Sequence, residues 1–417
     1  MKSDPVFPDF YMVEQIFDCP EVEDIQGEVK RELGKLDLRK KIFPGQTVAI
    51  TAGSRGIKNI DKITLAVVDE MKLYGARPFI IPAMGSHGGA TAEGQKEVLA
   101  GFGITEVAMG CEIRSSMETV VIGRTTLGTD VYLDKIASQA DHIAVVNRIK
   151  PHTKLIGSIE SGLMKMCLIG LGKRDGARTY HRAIDNYSWM DIVDSVTDIV
   201  IKNSPIAFGL GIIQNAYENI GKIAAVRPED FSSIEPLLLK DAQAMMGRLP
   251  FKDIDLLIVD EMGKDISGTG MDTNITGRKE GTSMKIVRVY VRDLTPMTHG
   301  NAQGIGLADF TTRRLVNKID YKALYVNSLT AYRTDSCKIP MAFENDREAL
   351  MTAIDMAGIE NHDEFKVVWI KNTLELEKIA VSTAYLQRIK ENPRLKILLG
   401  PHTLKFSKDN NFESYYL

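Results

Sequence analysis

Three histidines and one lysine carry the chemistry that this sequence of 417 residues advertises: His87, His152, His181 and Lys165 all lie in glycine-rich or loop-like surroundings. Only seven histidines occur in the chain, so placing three of them this way points to imidazole used for chemistry rather than packing. His87 sits in Ala83-Met-Gly-Ser-His87-Gly-Gly, where the glycines remove neighbouring side chains and let a ligand approach the ring. In Asn147-Arg-Ile-Lys-Pro-His152-Thr-Lys the proline fixes the approach to the second histidine. The run Glu160-Ser-Gly-Leu-Met-Lys165 delivers a lysine into Met-Cys-Leu-Ile-Gly, an apolar setting that favours the neutral, nucleophilic amine. The competing reading of Lys165 is a stem lying along an amphipathic face with its ammonium in water. Imidazoles, with an ordinary pKa of about 6.5, exchange proton-donor and proton-acceptor roles near neutrality.

These residues need strands and helices to position them. Gln46 to Thr51 reads as a strand, followed by the loop Gly53-Ser-Arg-Gly-Ile-Lys58 and a helix from Asp61 to Tyr74, in which Ile63, Val67, Met71 and Tyr74 repeat at helical spacing before Gly75. The unit recurs as a strand over Pro78 to Ala83, a loop from Met84 to Thr91, and a helix from Ala92 to Ala100. A third strand over His142 to Asn147 again precedes a histidine-bearing loop, so Arg55, His87 and His152 would meet at one sheet edge. Ile206 to Ile212 and Ile220 to Val226 read as further strands, and Pro228 to Arg248 as a helix. A domain boundary is expected at Leu249 to Lys252, dividing residues 1–250, the cofactor-binding and catalytic domain, from residues 251–417 on the substrate side. In the second domain, strands are expected over Met284 to Val291, Ala323 to Asn327, Phe365 to Ile370 and Leu395 to Leu399, with helices over Ala308 to Asn317, Asp346 to Ala357 and Thr373 to Lys390. The expected fold is two α/β domains with mixed or parallel sheets and the active site in the cleft between them.

Composition excludes several function classes. With 44% hydrophobic and 26% charged residues the chain reads as soluble and globular, and a net charge of −3 without a basic cluster disfavours nucleic acid. No apolar run approaches the roughly 18 residues of a spanning helix, and the amino terminus has no apolar stretch of the leader type, so no membrane partner and a cytoplasmic location are expected. Cys19, Cys111, Cys167 and Cys337 are isolated, which suggests neither a disulfide framework nor a cysteine zinc site. The loop carrying Ser54 and Arg55 offers backbone N–H groups at a helix start and a guanidinium, suited to phosphate or carboxylate. It matches neither the ATP nor the dinucleotide glycine fingerprint.

In order and context these residues resemble the nickel-dependent lactate racemases and their relatives. The matching pieces are Ser54-Arg55 after an early strand, Gly85-Ser-His87, Pro151-His152, Ser161-Gly-Leu-Met-Lys165, and His181 sixteen residues beyond that lysine, all within roughly the first 200 residues. The resemblance implies a nickel-pincer nucleotide, a pyridinium bis-thiocarboxylate mononucleotide that holds nickel, covalently linked to Lys165, with His181 as a further nickel ligand and Ser54 and Arg55 beside the cofactor. It also implies that His87 and His152 form an acid/base pair about the substrate carbon and that Arg55 binds a carboxylate or polarises a transient carbonyl. The implied activity is that of a racemase or epimerase inverting the C2 hydroxyl carbon of a 2-hydroxy acid by hydride transfer, since no protein side chain accepts hydride. Maturation would then require cofactor-synthesis proteins.

The sequence departs from the family at Ala52, where an aspartate is common, at Leu163-Met164, which replace Gly-Arg, and in the eight residues between His152 and Ser161. The second domain lacks the family's Tyr-Gln-x-x-Lys pattern and carries instead the long loop from Glu261 to Arg278, with Lys264, Asn274 and Arg278, and the segment Thr298-His299-Gly300-Asn301. These donors suit a polyhydroxylated acid, so an aldonate-like sugar acid stands beside lactate as substrate. Two other readings remain: a zinc-dependent hydrolase in which His87, His152 and His181 bind the metal, and a non-catalytic ligand-binding protein using the interdomain cleft. The first lacks a close His-Glu-x-x-His pair and leaves Lys165 idle, and the second has no need of paired acid/base groups.

Overall fold

The computed structural model describes residues 7–54, 56–330, 334–359 and 361–412. The chain divides into one compact unit over Cys19–Met246 and a second made from the chain after Met246 together with the segment ending at Asp18. Each unit is α/β. No helix among the described residues is long and apolar enough to cross a membrane.

In the first unit a five-stranded sheet runs in the order Arg77–Pro82, Thr47–Ala52, His142–Arg148, Ile206–Gln214, Ile220–Val226. The first four strands are parallel and the last is antiparallel. Val48, Ala49 and Ile50, like Ile143, Ala144 and Val145, are fully buried, because helices cover both faces of a parallel sheet and both side-chain directions must be apolar. The helix Ile60–Leu73 buries Ile63, Val67 and Met71, and the chain turns away at Gly75 with φ +78°. A separate hairpin, Thr119–Arg124 with Asp130–Asp134, is tied to the helix Trp189–Asn203 by an Asn203 Nδ2 hydrogen bond to the Ile122 carbonyl, 2.8 Å. Parallel strands leave their outgoing loops on one edge, so residues 53–59, 83–91 and 149–162 share it.

The second unit holds an eight-stranded sheet ordered Met341–Phe343, Phe310–Thr312, Lys285–Leu294, Asp253–Met262, Val367–Ile370, Lys378–Ser382, Phe10–Gln15, Leu395–His402. Its first five strands are parallel and the remainder antiparallel. The sequence reading placed residues 1–250 together, whereas the strand Phe10–Gln15 lies inside this second sheet. It pairs on both sides, and Phe10 buries its ring edge-on against Trp369 at 6.1 Å.

Three expected elements differ. Ala323 to Asn327 lies in the helix Tyr321–Thr330, started by Asp320 accepting from the Ala323 N–H, in which Leu324 is buried while Tyr325 and Val326 are exposed. Thr373 to Lys390 is instead the strand Lys378–Ser382 followed by a helix over Leu386–Glu391. Ala308 to Asn317 splits into the strand Phe310–Thr312 and a helical turn, Arg313–Val316, capped by Thr312. In both cases tertiary pairing of a buried apolar segment overrides a helical pattern. The polar tail folds back as far as Phe412, whose ring lies 4.9 Å from Trp369.

A chain beginning at residue 19 is expected to lose hydrogen-exchange protection in strands 378–382 and 395–402 while strands 47–52 and 142–148 keep theirs, measured by mass spectrometry. Equal loss in both sheets would contradict this division.

Candidate active site

The site is organised by the segment that carries Lys165. A helical turn, Leu163–Lys165, passes into a π-turn over Met166–Gly170 and then, after Gly172, into the helix Lys173–Ala183 that holds His181. Such π-turns concentrate at functional sites. Three loops seat on this segment. A methyl group at Gly53 would lie 3.4 Å from Met166 Cε, ordinary van der Waals contact, so the start of the Ser54 loop lies against this segment. At Gly85 the corresponding contact is Ile169 Cγ2 at 3.2 Å, which brings in the loop of His87. Asn147 Nδ2 donates to the Gly162 carbonyl at 2.6 Å and Lys150 N to the Ser161 carbonyl at 3.0 Å, closing the loop of His152. Ser54 is half-buried at the start of its loop, and Arg55 lies outside the described residues.

Burial, with the neighbouring Lys165 charge, lowers the His181 pKa to about 4, so its ring is neutral near neutrality, the form that binds metals. Among the described residues no group of three or more His, Cys, Asp or Glu is placed to hold a metal ion. The three-histidine zinc centre is therefore not formed, and a metal at His181 would draw its other ligands from a bound group. An amine beside a neutral imidazole is the donor set that a lysine-linked, metal-carrying nucleotide requires.

His87 is exposed and flanked by Gly85, Gly88 and Gly89, all at positive φ. Its Nδ1 donates to the Met84 carbonyl at 2.8 Å. His152 is half-buried, and its Nδ1 accepts the backbone N–H groups of Lys154 and Leu155, both at 3.0 Å. Its own backbone N–H donates to Glu160 Oε2 at 2.6 Å.

Sequence reasoning missed three buried polar residues that hold this arrangement. Lys173 is wholly buried at φ +51°, and its ammonium lies 2.9 Å from Asp134 Oδ2 while donating to the Pro82 carbonyl and, at 3.3 Å, to Gln95 Oε1. Gln95 Nε2 in turn donates to the carbonyls of Gly85, 3.0 Å, and His87, 3.3 Å. Lys173 stands in a Lys-Arg-Asp run that carries no local signal of burial, whereas Gln95 shares the inner face of its helix with Leu99 four residues on, a spacing that could have exposed it. Glu235, on the helix Phe231–Met245, accepts from Met164 N at 2.9 Å. Burial pushes its carboxyl up to about 8, against the pull of the Met164 and Leu163 N–H groups. A methyl at Gly162 would fall 1.9 Å from Glu235 Oε1, so glycine is required there for space.

In the second unit the expected substrate donors brace their own loop. Arg278 donates to the carbonyls of Leu307, 3.1 Å, and Ile286, 2.8 Å, and to Asp309 at 2.5 Å. Lys264 Nζ donates to the Gly268 carbonyl at 2.8 Å, and Asn274 Nδ2 to Asp272 Oδ1 at 2.8 Å. His299 ends a 3-10 turn, Pro296–Thr298, at φ +49°. The stretch that looked like an open loop contains the helical turn Thr273–Thr276, and these polar side chains are what a compact connection needs for its backbone.

Residues 15–190 match the lactate racemase N-terminal domain family, a span that includes every candidate residue of the first unit. Over that span the chain is similar to the lactate racemase N-terminal domain. Among solved structures, a lactate racemase apoprotein from Thermoanaerobacterium thermosaccharolyticum aligns with a TM-score of 0.55 at 16% identity, covering 87% of this chain and 94% of that one. A structural-genomics protein from Thermotoga maritima aligns with a TM-score of 0.55 at 11% identity, covering 87% and 99%. At these identities the likeness is one of fold, and the two-unit α/β architecture is shared with the lactate racemase apoprotein. No curated protein matches the sequence.

Two outcomes follow for the first unit. A folded-state carboxyl that keeps its proton up to about pH 8, against 4.5 ordinarily, contributes stability that is fully present below pH 4.5 and is lost as pH rises towards 8. Glu235→Gln is therefore expected to unfold near the wild-type midpoint at pH 5 and to exceed it at pH 9, by about 1 kcal/mol or more, in denaturant titrations. Lys173→Ala, which strands Asp134 in the interior, is expected to cost about 3–5 kcal/mol in the same measurement.

Proposed function

We propose that the protein is an isomerase that inverts the C2 hydroxyl carbon of a 2-hydroxy acid, with a nickel-pincer nucleotide linked to Lys165. The observation that carries this reading is the juxtaposition of Lys165 with a neutral His181 inside a segment of lactate racemase type. Lys165 would hold the nucleotide through its amine, and His181 would offer its ring nitrogen to the nickel. When bound, that group supplies the hydride acceptor and donor that no side chain provides.

The remaining roles belong to the chain's own residues. His87 and His152 serve the proton of the C2 hydroxyl, each on a loop anchored to the Lys165 segment. Ser54 and Arg55, on the outgoing loop of a parallel strand, take the phosphate or carboxylate groups of cofactor and substrate. Loops braced against one buried segment hold reacting groups in register, which is where much of an enzyme's rate advantage resides. The substrate is a small 2-hydroxy acid, lactate or a longer sugar acid of the aldonate type. The cofactor would be delivered by its synthesis proteins in the cell.

Intact mass and nickel analysis of protein matured together with cofactor-synthesis proteins tests the assignment. A covalent adduct on the peptide containing Lys165 is expected, lost with nickel in Lys165→Ala; His181→Ala should retain the adduct and lose nickel. Racemisation of lactate and C5 or C6 aldonates, followed by chiral chromatography, then identifies the substrate. An unmodified Lys165 in fully active protein would overturn the proposal.

A further inference from the structure

The chain around His87 does not keep its shape by local preference. Gly88, Gly89 and Ala90 follow one another at φ +63°, +65° and +56°, and the last of them carries a side chain in the left-handed region. A methyl at Gly88 would lie 2.6 Å from the Gly94 carbonyl carbon, and one at Gly94 would lie 2.1 Å from the Gly88 oxygen. The loop therefore lies backbone against backbone on the first turn of the helix Ala92–Gly101, in a conformation that contacts from outside must over-determine.

The buried side of the loop supplies those contacts. Three carbonyls, at Pro82, Gly85 and His87, turn inward on two wholly buried side chains. Lys173 donates to the first, and Gln95 Nε2 donates to the other two at 3.0 and 3.3 Å. Lys173 also decides which way the Gln95 amide faces. An ammonium only donates, so the amide atom 3.3 Å from Lys173 Nζ is the oxygen, and the NH2 group is left for the loop. Its two hydrogens go to the carbonyls on either side of Ser86, which draws that backbone inward while His87 stays exposed.

Resting on the reading above, we infer that Gln95 is a positioning residue for the proton transfer: its amide, oriented by Lys173, sets where His87 stands relative to the Lys165 segment. Lys173 begins the helix of His181 just beyond the π-turn that follows Lys165, so the loop is referred to the same stretch of chain that holds the cofactor. Displacing a reacting group by about 1 Å costs about 10²-fold in rate, which is the scale on which such a clamp acts.

Two replacements separate this role from the plain need of a buried ammonium for a partner. Gln95→Glu keeps an oxygen for Lys173 but sets a second oxygen against the Gly85 and His87 carbonyls, whereas Gln95→Met removes both functions. Both variants are expected to free residues 84–91. Amide hydrogen exchange there, read by mass spectrometry on the full chain, should rise by about tenfold or more while strands 47–52 and 142–148 keep wild-type protection. In cofactor-loaded protein both should retain the Lys165 adduct and nickel, with KM near wild type and kcat lower by about 10²-fold. Wild-type exchange and turnover in Gln95→Glu, beside a damaged Gln95→Met, would mean that Gln95 serves Lys173 alone and would overturn the inference. So would protection lost equally from the two strands, or adduct and nickel lost together with turnover. Faster exchange at 84–91 in both variants, with no racemisation by loaded wild-type protein, would instead overturn the isomerase reading and leave the placement of the loop by Gln95 standing.

Discussion

A wholly buried ammonium is tolerable only where every charge and donor around it is matched, and Lys173 imposes that condition on the first unit. Its partners lie on separate pieces of chain: Asp134 at the end of the hairpin, Pro82 at the end of an edge strand, and Gln95 on the following helix. Because Gln95 also donates to the carbonyls of Gly85 and His87, the loop of His87 is held to the same ammonium that starts the helix of His181. The left-handed backbone of Lys173 itself costs energy and persists only because these contacts over-determine it. Strain of this kind immediately after a π-turn joins a packing constraint to the geometry of the site.

The second unit uses buried charge differently. Arg292, near the end of a parallel strand, bonds to Asp260 on the neighbouring strand and to Asp346 at 2.7 Å, and it lies over the rings of Trp369 and Phe412. Tyr290 and the Phe412 N–H complete the shell of Asp346, at 2.5 and 2.9 Å. The polar tail is thereby fastened to the strand ends through its last described residues, an edge of an α/β sheet that in other proteins stands open to ligands. Together with the three hydrogen bonds of Arg278, this makes Arg292 and Arg278 structural ties of the second unit.

The Nδ1 atoms of His87 and His152 meet opposite kinds of backbone group. One ring meets a carbonyl three residues earlier in its chain, and the other meets two N–H groups two and three residues later. The difference follows loop shape, which rests on glycines at positive φ on one side and on the Glu160 cap on the other. The three-histidine zinc alternative fails because the rings, two on loops and one on the helix Lys173–Ala183, do not converge as a ligand set among the described residues.

Much of the first unit was legible in the sequence. The apolar runs at 47–52, 77–82 and 142–148 declare parallel strands because both their faces are buried, and the glycine-rich loops after them declare where the chemistry collects. The order Ser54, His87, His152, Lys165, His181 is a local pattern that survives without coordinates, and it falls within residues 15–190, the span that matches the lactate racemase N-terminal domain. Contacts distant in sequence were not legible. The strand Phe10–Gln15 joins a sheet more than 350 residues away, and nothing within it names its partners. The segment 378–382 reads equally well as strand or helix until neighbouring strands choose, since a short buried apolar run has no period to betray it. Lys173, Gln95 and Glu235 show the same limit for polar residues: their types announce solvent, and only tertiary packing, which withdraws the water and supplies the partners, turns them into the frame of the site.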